Sequence, residues 1–295
     1  RHPRHGTTAI VASRTSVRER HPPGHRTRVA AVVTHPPMRF DPEYVAQVLT
    51  ANFEDAKTLF VGPLIAVHEA HLVMLADRGL IDPAAARTLR TALSGITGAR
   101  VAEARYDGSF EDLFFFVERL LADTCGADVA GRLHLARGRL HTARSRNDID
   151  MTMYRMRLRQ SLADTLAGTL ALREVLLELA SRHRDTVFAA HTHTQPAQPT
   201  TLAHYLLAVV EQLERDARRL QAAFRTTNRN PLGACAITGT GFPIDRALTA
   251  DLLGFDEPTG NTYGSIATVD YVLESTGALS VLLVGLGRVV QDLLL

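Results

Sequence analysis

The sequence predicts an all-α fold built around a bundle of elongated helices, and three stretches carry that prediction. From Asp148 to about Val187 the chain runs roughly forty positions with no proline and one glycine, Gly168. A helix of that length would reach ~60 Å at 1.5 Å per residue. A second apolar period begins after Pro199, where Thr200 or Thr201 can cap, and continues through Leu206, Val209, Leu213 and Leu220 to about Phe224. The third runs from about Ser265 to Leu295. Ordinary helices average ~11–12 residues, so three this long in succession imply a bundle, and no alternating segment of strand length competes with them.

The elements before the bundle follow in order. Residues 1–37 hold seven Arg, several His and Pro and a single acid, Glu19, with no sustained apolar period; they are set apart as a disordered or non-native extension, with Met38 as the natural start. Residues 38–143 form an N-terminal helical domain. Asp41-Pro42 and Asp82-Pro83 each place a capping acid before a proline suited to the first helical position, and Gly79 closes the first segment. Ser109, with Asp112 three residues on, is expected to cap an apolar helix through Leu121. Residues 126–143, rich in Gly and Arg, read as a connecting loop. Residues 144–295 form the central long-helix domain, which stops in mid-pattern at Leu295 without Gly, Asn or Pro and is expected to continue.

Composition narrows the function classes. Hydrophobic residues make up 45% of 295, enough for a sizeable core. The formal charge is +2, but the first 37 residues carry +6, so the remainder is mildly acidic, which argues against nucleic-acid binding. The longest apolar run, residues 278–287, is broken by Ser280 and closed by Arg288, so no membrane span is expected. Cys125 and Cys235 stand far apart with no metal-site spacing, which fits a reducing, cytoplasmic setting. Leu170, Leu172, Val175, Leu176 and Leu179 cover more than one helix face, as expected if further subunits pack there.

Three constellations could carry chemistry. Residues 141–148 (H-T-A-R-S-R-N-D) stand where a loop becomes the first long helix; Ser145 and Asp148 have capping-box spacing, and free N–H groups beside Arg144, Arg146 and Asn147 would suit a carboxylate. The simpler alternative is an ordinary cap with solvated arginines. Residues 191–199 (H-T-H-T-Q-P-A-Q-P) are held extended by two prolines. His191 and His193, with His204 nearby, invite a metal reading, but no Cys, Asp or Glu completes the set, and a loop histidine serves better as a proton donor or acceptor. Residues 230–241 (N-P-L-G-A-C-A-I-T-G-T-G) are small and glycine-rich, match no phosphate-binding pattern and permit close backbone approach.

Together these stretches resemble the argininosuccinate lyases of the fumarase and aspartase superfamily. That family's H-T-G-R-S-R-N-D, T-H-x-Q-x-A-Q-P and P-L-G-x-x-A-x-x-G-T-x-x-P-I-D-R stretches recur in order at 141–148 (with Ala143 for the glycine), 192–199 and 231–246. The resemblance implies a three-domain helical fold, a homotetramer joined through a central bundle, and active sites assembled from three chains. It implies reversible elimination of fumarate from argininosuccinate, hence arginine biosynthesis, with no metal or organic cofactor. By motif position His193 would be the acid, Thr192 and Asn147 would bind substrate, Ser145 and Arg146 would hold the succinyl carboxylates of a dicarboxylate substrate, and Gln195 would orient its loop. The family's catalytic base is a serine in a G-S-S-x-M-P-x-K-x-N-P loop that these 295 residues do not contain, so the chain alone is expected to be inactive.

Some positions depart from the family. Its E-D-I-H is Glu111-Asp112-Leu113-Phe114 here, and its N-S-x-D-A-x-S-x-R-D-F becomes residues 261–271 (N-T-Y-G-S-I-A-T-V-D-Y), losing an acid and an arginine. Ala51 stands near the place of a substrate-binding serine. These changes bear on the amine half of the substrate. Two alternatives therefore stand: a sister lyase acting on another N-substituted aspartate, and a catalytically silent structural homologue.

Overall fold

The computed structural model describes residues 40–124 and 140–294. The expectations for residues 1–37, and for most of the 126–143 connection, lie outside the described residues. The described residues gather into one compact unit.

Asp41 caps α1 (Pro42–Tyr44) by accepting from the backbone N–H groups of Glu43 and Tyr44. A single π-helical turn, Val45–Leu49, joins α1 to α2 (Thr50–Leu59) without a break. The path then bends by 69° into α3 (Val61–Asp77). The sequence had suggested one segment as far as Gly79, but Pro63 lacks a backbone donor and belongs in the first turn of a new helix. Gly79, at φ 65°, closes α3 as expected. Asp82 caps α4 (Pro83–Ser94), and Thr97 caps the short α5 (Gly98–Ala102). α6 spans Leu113–Thr124 and starts later than the sequence suggested. Its cap is Asp112, which accepts from Phe115 N at 3.2 Å, whereas Ser109 is drawn back onto the Asp107 carboxylate.

These helices share one core. Phe53 of α2 meets the rings of Phe110 and Phe116 at 5.2 and 5.5 Å, and Leu64, Leu75, Leu93, Val117 and Leu121 close around them. Fully burying such side chains contributes about 1.5–3 kcal/mol each. Packing runs across the 143/144 junction, since Ile149, Met153 and Leu232 belong to the same core.

The long-helix bundle follows. α7 (Arg146–Arg182) and α8 (Leu202–Thr227) pack along each other, and α11 (Asp270–Leu294) lies against α8. Their shared core holds Leu162 of α7, Val209, Leu213, Leu220 and Ala223 of α8, and Ala278 and Leu282 of α11. The third long helix begins at Asp270 instead of Ser265, because α10 (Thr262–Ala267) ends before Thr268, whose backbone is extended at ψ 140°. Strands also occur where none were expected. β1 (Val187–Thr192) and β2 (Gln195–Thr201) form an antiparallel hairpin between α7 and α8, and β3 (Arg229–Asn230) pairs in parallel with β4 (Glu257–Pro258) around α9 (Arg246–Leu252). The hairpin lacks the one-sided apolar alternation that reveals a strand, because most of it is exposed and none of it is buried.

α11 also corrects the expectation that no segment would suit a bilayer. By length and composition it is long and apolar enough to cross one, with a mean hydropathy of 1.5 over its most apolar window. Counting only uninterrupted apolar runs overlooked it, since small residues such as Ser280 scarcely lower a window average. Soluble bundle helices meet the same criterion. Here the face formed by Ala278 and Leu282 is buried, while Leu273, Leu283, Val284 and Val290 stand exposed.

Candidate active site

The start of α7 is a capping box. Ser145 N donates to Asp148 Oδ1 at 2.8 Å while Ser145 Oγ accepts from Asn147 N. The second oxygen of Asp148 accepts from Gly233 N at 2.8 Å and Cys235 N at 2.9 Å, so one fully buried carboxylate joins the first motif to the third. Burial pushes its pKa up, against the three N–H donors and Arg144, which favour the anion. Asn147 Nδ2 adds a bond to Ala236 O at 2.8 Å, and Cys235 Sγ donates to Ala143 O at 3.1 Å. Only glycine fits at 233: at φ 87° a Cβ would lie 2.8 Å from both Arg246 Cγ and Ile244 Cδ1.

Ala143, where the resemblance has glycine, sits at φ 59°. A left-handed L-residue costs about 1–2 kcal/mol, partly offset by the greater flexibility of an unfolded glycine. Ala143→Gly is therefore expected to raise stability by up to about 1 kcal/mol in urea unfolding, and a loss of stability would show that this turn is unstrained.

Arg146 turns toward acids. It pairs with Asp112, with Glu111 at 3.4 Å and with Asp150 at 3.8 Å, and its guanidinium lies 5.4 Å from the Phe115 ring centroid. Burial pushes the pKa of Asp150 up to about 6; Arg146 opposes this and the neighbouring carboxylates Asp112, Asp148 and Glu111 add to it. The sequence showed the Arg146/Asp150 spacing of i and i+4, but nothing in it placed Glu111 and Asp112 across from them. Beneath the cap lies a buried group that joins two residues of the 141–148 stretch to two histidines that sequence reasoning did not single out. His68 and His71 of α3 sit with His141 and the buried Arg144, and the Phe114 ring lies against His68 and His141 at 6.1 and 5.1 Å. His71 Nε2 donates to Thr142 O at 2.9 Å, which requires that tautomer. The three guanidinium nitrogens of Arg144 find no hydrogen-bond partner among the described residues. Burial pulls Arg144 down to about 10, so it stays charged at neutral pH.

Thr192, His193 and Gln195 stand at the tip of the β1–β2 hairpin. Thr192 pairs with Gln195, leaving His193 and Thr194 as a two-residue turn with φ 50° and 61°, both left-handed. Neither residue is glycine or asparagine, the types that adopt this turn readily, so the backbone is strained at the candidate acid. All four side chains are exposed. His204 is occupied elsewhere, with Nδ1 2.9 Å from Thr200 Oγ1. The two parts of the candidate site are not brought together within this chain. Ser145, Arg146 and Asn147 begin α7 and the hairpin follows its far end, about 55 Å away for 37 residues of helix.

Residues 111–295 match a family model described as lyase. The chain is 43% identical over 253 residues to argininosuccinate lyase 2 of Agrobacterium fabrum, covering 85% of this chain and 49% of that protein. It is 42% identical over 231 residues to the argininosuccinate lyase of Methanocorpusculum labreanum, covering 78% and 46%. Among solved structures it resembles an EDDS lyase in complex with formate, with a TM-score of 0.70 and 32% identity over 83% of this chain and 45% of that one. A class II fumarase from Schistosoma mansoni shares the fold at a TM-score of 0.67 and 17% identity, over 83% and 58%. The chain thus spans about half the length of the curated relatives it matches. With a family model covering most of the chain, a capped long helix joined to the glycine-rich loop, and the shared helical architecture, the chain belongs to the lyase family, within the fumarase and aspartase superfamily.

Proposed function

We propose that this chain forms part of an argininosuccinate lyase-type carbon–nitrogen lyase, which releases fumarate from an N-substituted aspartate. The observation that carries the reading is the joined cap, in which Asp148 and Asn147 fasten the Ser145-Arg146-Asn147 turn onto the 233–236 loop. Two of the three stretches that carry the resemblance thereby meet at one place. Relatives bearing the argininosuccinate lyase name at 37–43% identity support the reaction class, and a variant of the similar EDDS lyase holds fumarate. In this reaction a base removes the proton next to a carboxylate, donors stabilise the resulting dianion, and an acid protonates the departing nitrogen. His193 is the proposed acid; Thr192, Asn147, Ser145 and Arg146 are the proposed substrate contacts, and Gln195 orients the hairpin.

The same reading includes a cytoplasmic homotetramer. Two observations support the association of subunits: the exposed apolar face of α11, and the length of α7 between Ser145 and His193, which calls for His193 from another subunit. A second reading, a sister lyase for a different amine, is favoured by the acids around Arg146 and by Phe114 in place of a family histidine. Fumarate release from the full-length protein, followed by ultraviolet absorbance, tests both. Release from argininosuccinate is expected. Release only from another N-substituted aspartate would move the amine half, and none from a folded tetramer would favour the silent homologue.

A further inference from the structure

A cleft of about 570 Å³ opens between the C-terminal end of α8, the β4–α10 turn and the start of α11. Three arginines line it, Arg155, Arg225 and Arg229, against one acid, Asp270. Their surroundings differ. Arg229 is neutralised by an ion pair with Glu257. Arg155 is almost wholly buried, held with its guanidinium 3.8 Å from the Tyr271 ring centroid, and its Nη1 donates to the carbonyls of Thr226 and Thr227 at 3.0 and 3.3 Å. Its Nε finds no hydrogen-bond partner among the described residues, which satisfy this buried cation only in part. Arg225 is exposed and enters no ion pair among the described residues. Counting Glu257, the cleft retains one positive charge beyond its acids.

The opposite wall supplies room. Gly264 lines the cleft, and a Cβ there would meet only Asn261 Oδ1 at 3.9 Å and Thr268 Cγ2 at 4.0 Å. Asn261 uses its carbonyl oxygen to cap α10 through Gly264 N, which leaves its amide NH₂ as a further donor on this wall. A fixed buried guanidinium, an exposed one and an amide donor around an open space match the needs of a planar or tetrahedral oxyanion, which takes paired N–H donors from arginine. The volume lies within the range of small-molecule sites. Arg155 is nine residues along α7 from Arg146, about 13 Å of helix, so this cleft is separate from the capped turn assigned to substrate.

We propose that this cleft is a second binding site, for a small oxyanion bearing a phosphate or several carboxylates. The site does not depend on the reaction proposed above, and its test reads binding instead of turnover. Inorganic phosphate and citrate, in separate titrations, would be followed by calorimetry on the full-length protein and on Arg225→Ser and Gly264→Asp. Both substitutions are at the cleft surface; the first removes the exposed cation, and the second places a carboxylate in the open space. Binding of at least one anion is expected, weakened tenfold or more in both variants with melting temperatures unchanged. Phosphate alone would indicate a phosphate ester as ligand, and citrate alone a polycarboxylate. Absence of binding to the parent protein, or equal binding by the parent and both variants, would overturn the proposal.

Discussion

His193→Asn in the full-length protein is expected to reduce the turnover rate for fumarate release by about 10²–10⁴-fold, the usual worth of a general acid, while leaving the melting temperature unchanged. The choice of asparagine follows from the backbone. His193 sits at φ 50° in a turn whose next residue is also left-handed, and asparagine tolerates that conformation better than most residues. The side chain is exposed at the hairpin tip, so its loss removes no core packing. A β-branched replacement would instead strain the turn and confuse a lost proton with a lost hairpin. If His193 protonates the leaving nitrogen, kcat falls and KM moves little, since the interaction is made as the bond breaks. Activity within tenfold of the parent would remove His193 from proton transfer.

The second large effect concerns acid. Burial, and the charge of Arg144, lower the pKa of His71 to about 3 and that of His68 well below its ordinary value. A folded-state pKa below the unfolded one means that the neutral ring contributes its full stability above pH ~6.5, and that this is lost as pH falls toward the folded pKa. Each such histidine therefore costs about 1.4 kcal/mol per pH unit through that window. Asp150 works the other way: with its pKa raised to about 6, it takes up a proton in the folded state first and gains stability as pH falls from there toward the ordinary carboxylate range. Asp112 and Asp148, also raised, act in the same direction. Comparing the parent with His71→Gln separates these effects, because the carboxylates are common to both. Between pH 6.5 and 4.5 the parent is expected to lose about 2 kcal/mol more than the variant in urea unfolding. Parallel stability curves would show that His71 titrates normally.

Much of this architecture was legible in the sequence, for identifiable reasons. The three long helices announce themselves because proline is missing from their interiors and their apolar residues recur at helical spacing; α7 and α8 fall within a few residues of where that pattern put them. Asp82 and Ser145 were readable as caps because the interaction is local, and Asp112 displaced Ser109 for a similarly local reason, its own carboxylate standing three residues before Phe115 N. What stayed hidden depends on distant neighbours. The histidines of α3 look like polar interruptions of an apolar helix until Arg144 arrives from far along the chain. The acids around Arg146 come from two separate helix starts. The hairpin was missed because exposure on both faces erases the alternation that would have disclosed it.

The double duty of Asp148 has a consequence for synthesis. One of its oxygens closes the first turn of α7, and the other waits for N–H groups 85 and 87 residues further along the chain. A nascent chain that has emerged only as far as α7 holds this carboxylate with two of its three N–H donors missing, so the start of α7 cannot settle in its final state. Cys235 must leave the ribosome first, and at ~5–20 residues per second that delay lasts several seconds. During that interval the 141–148 turn is held only by its local capping bonds.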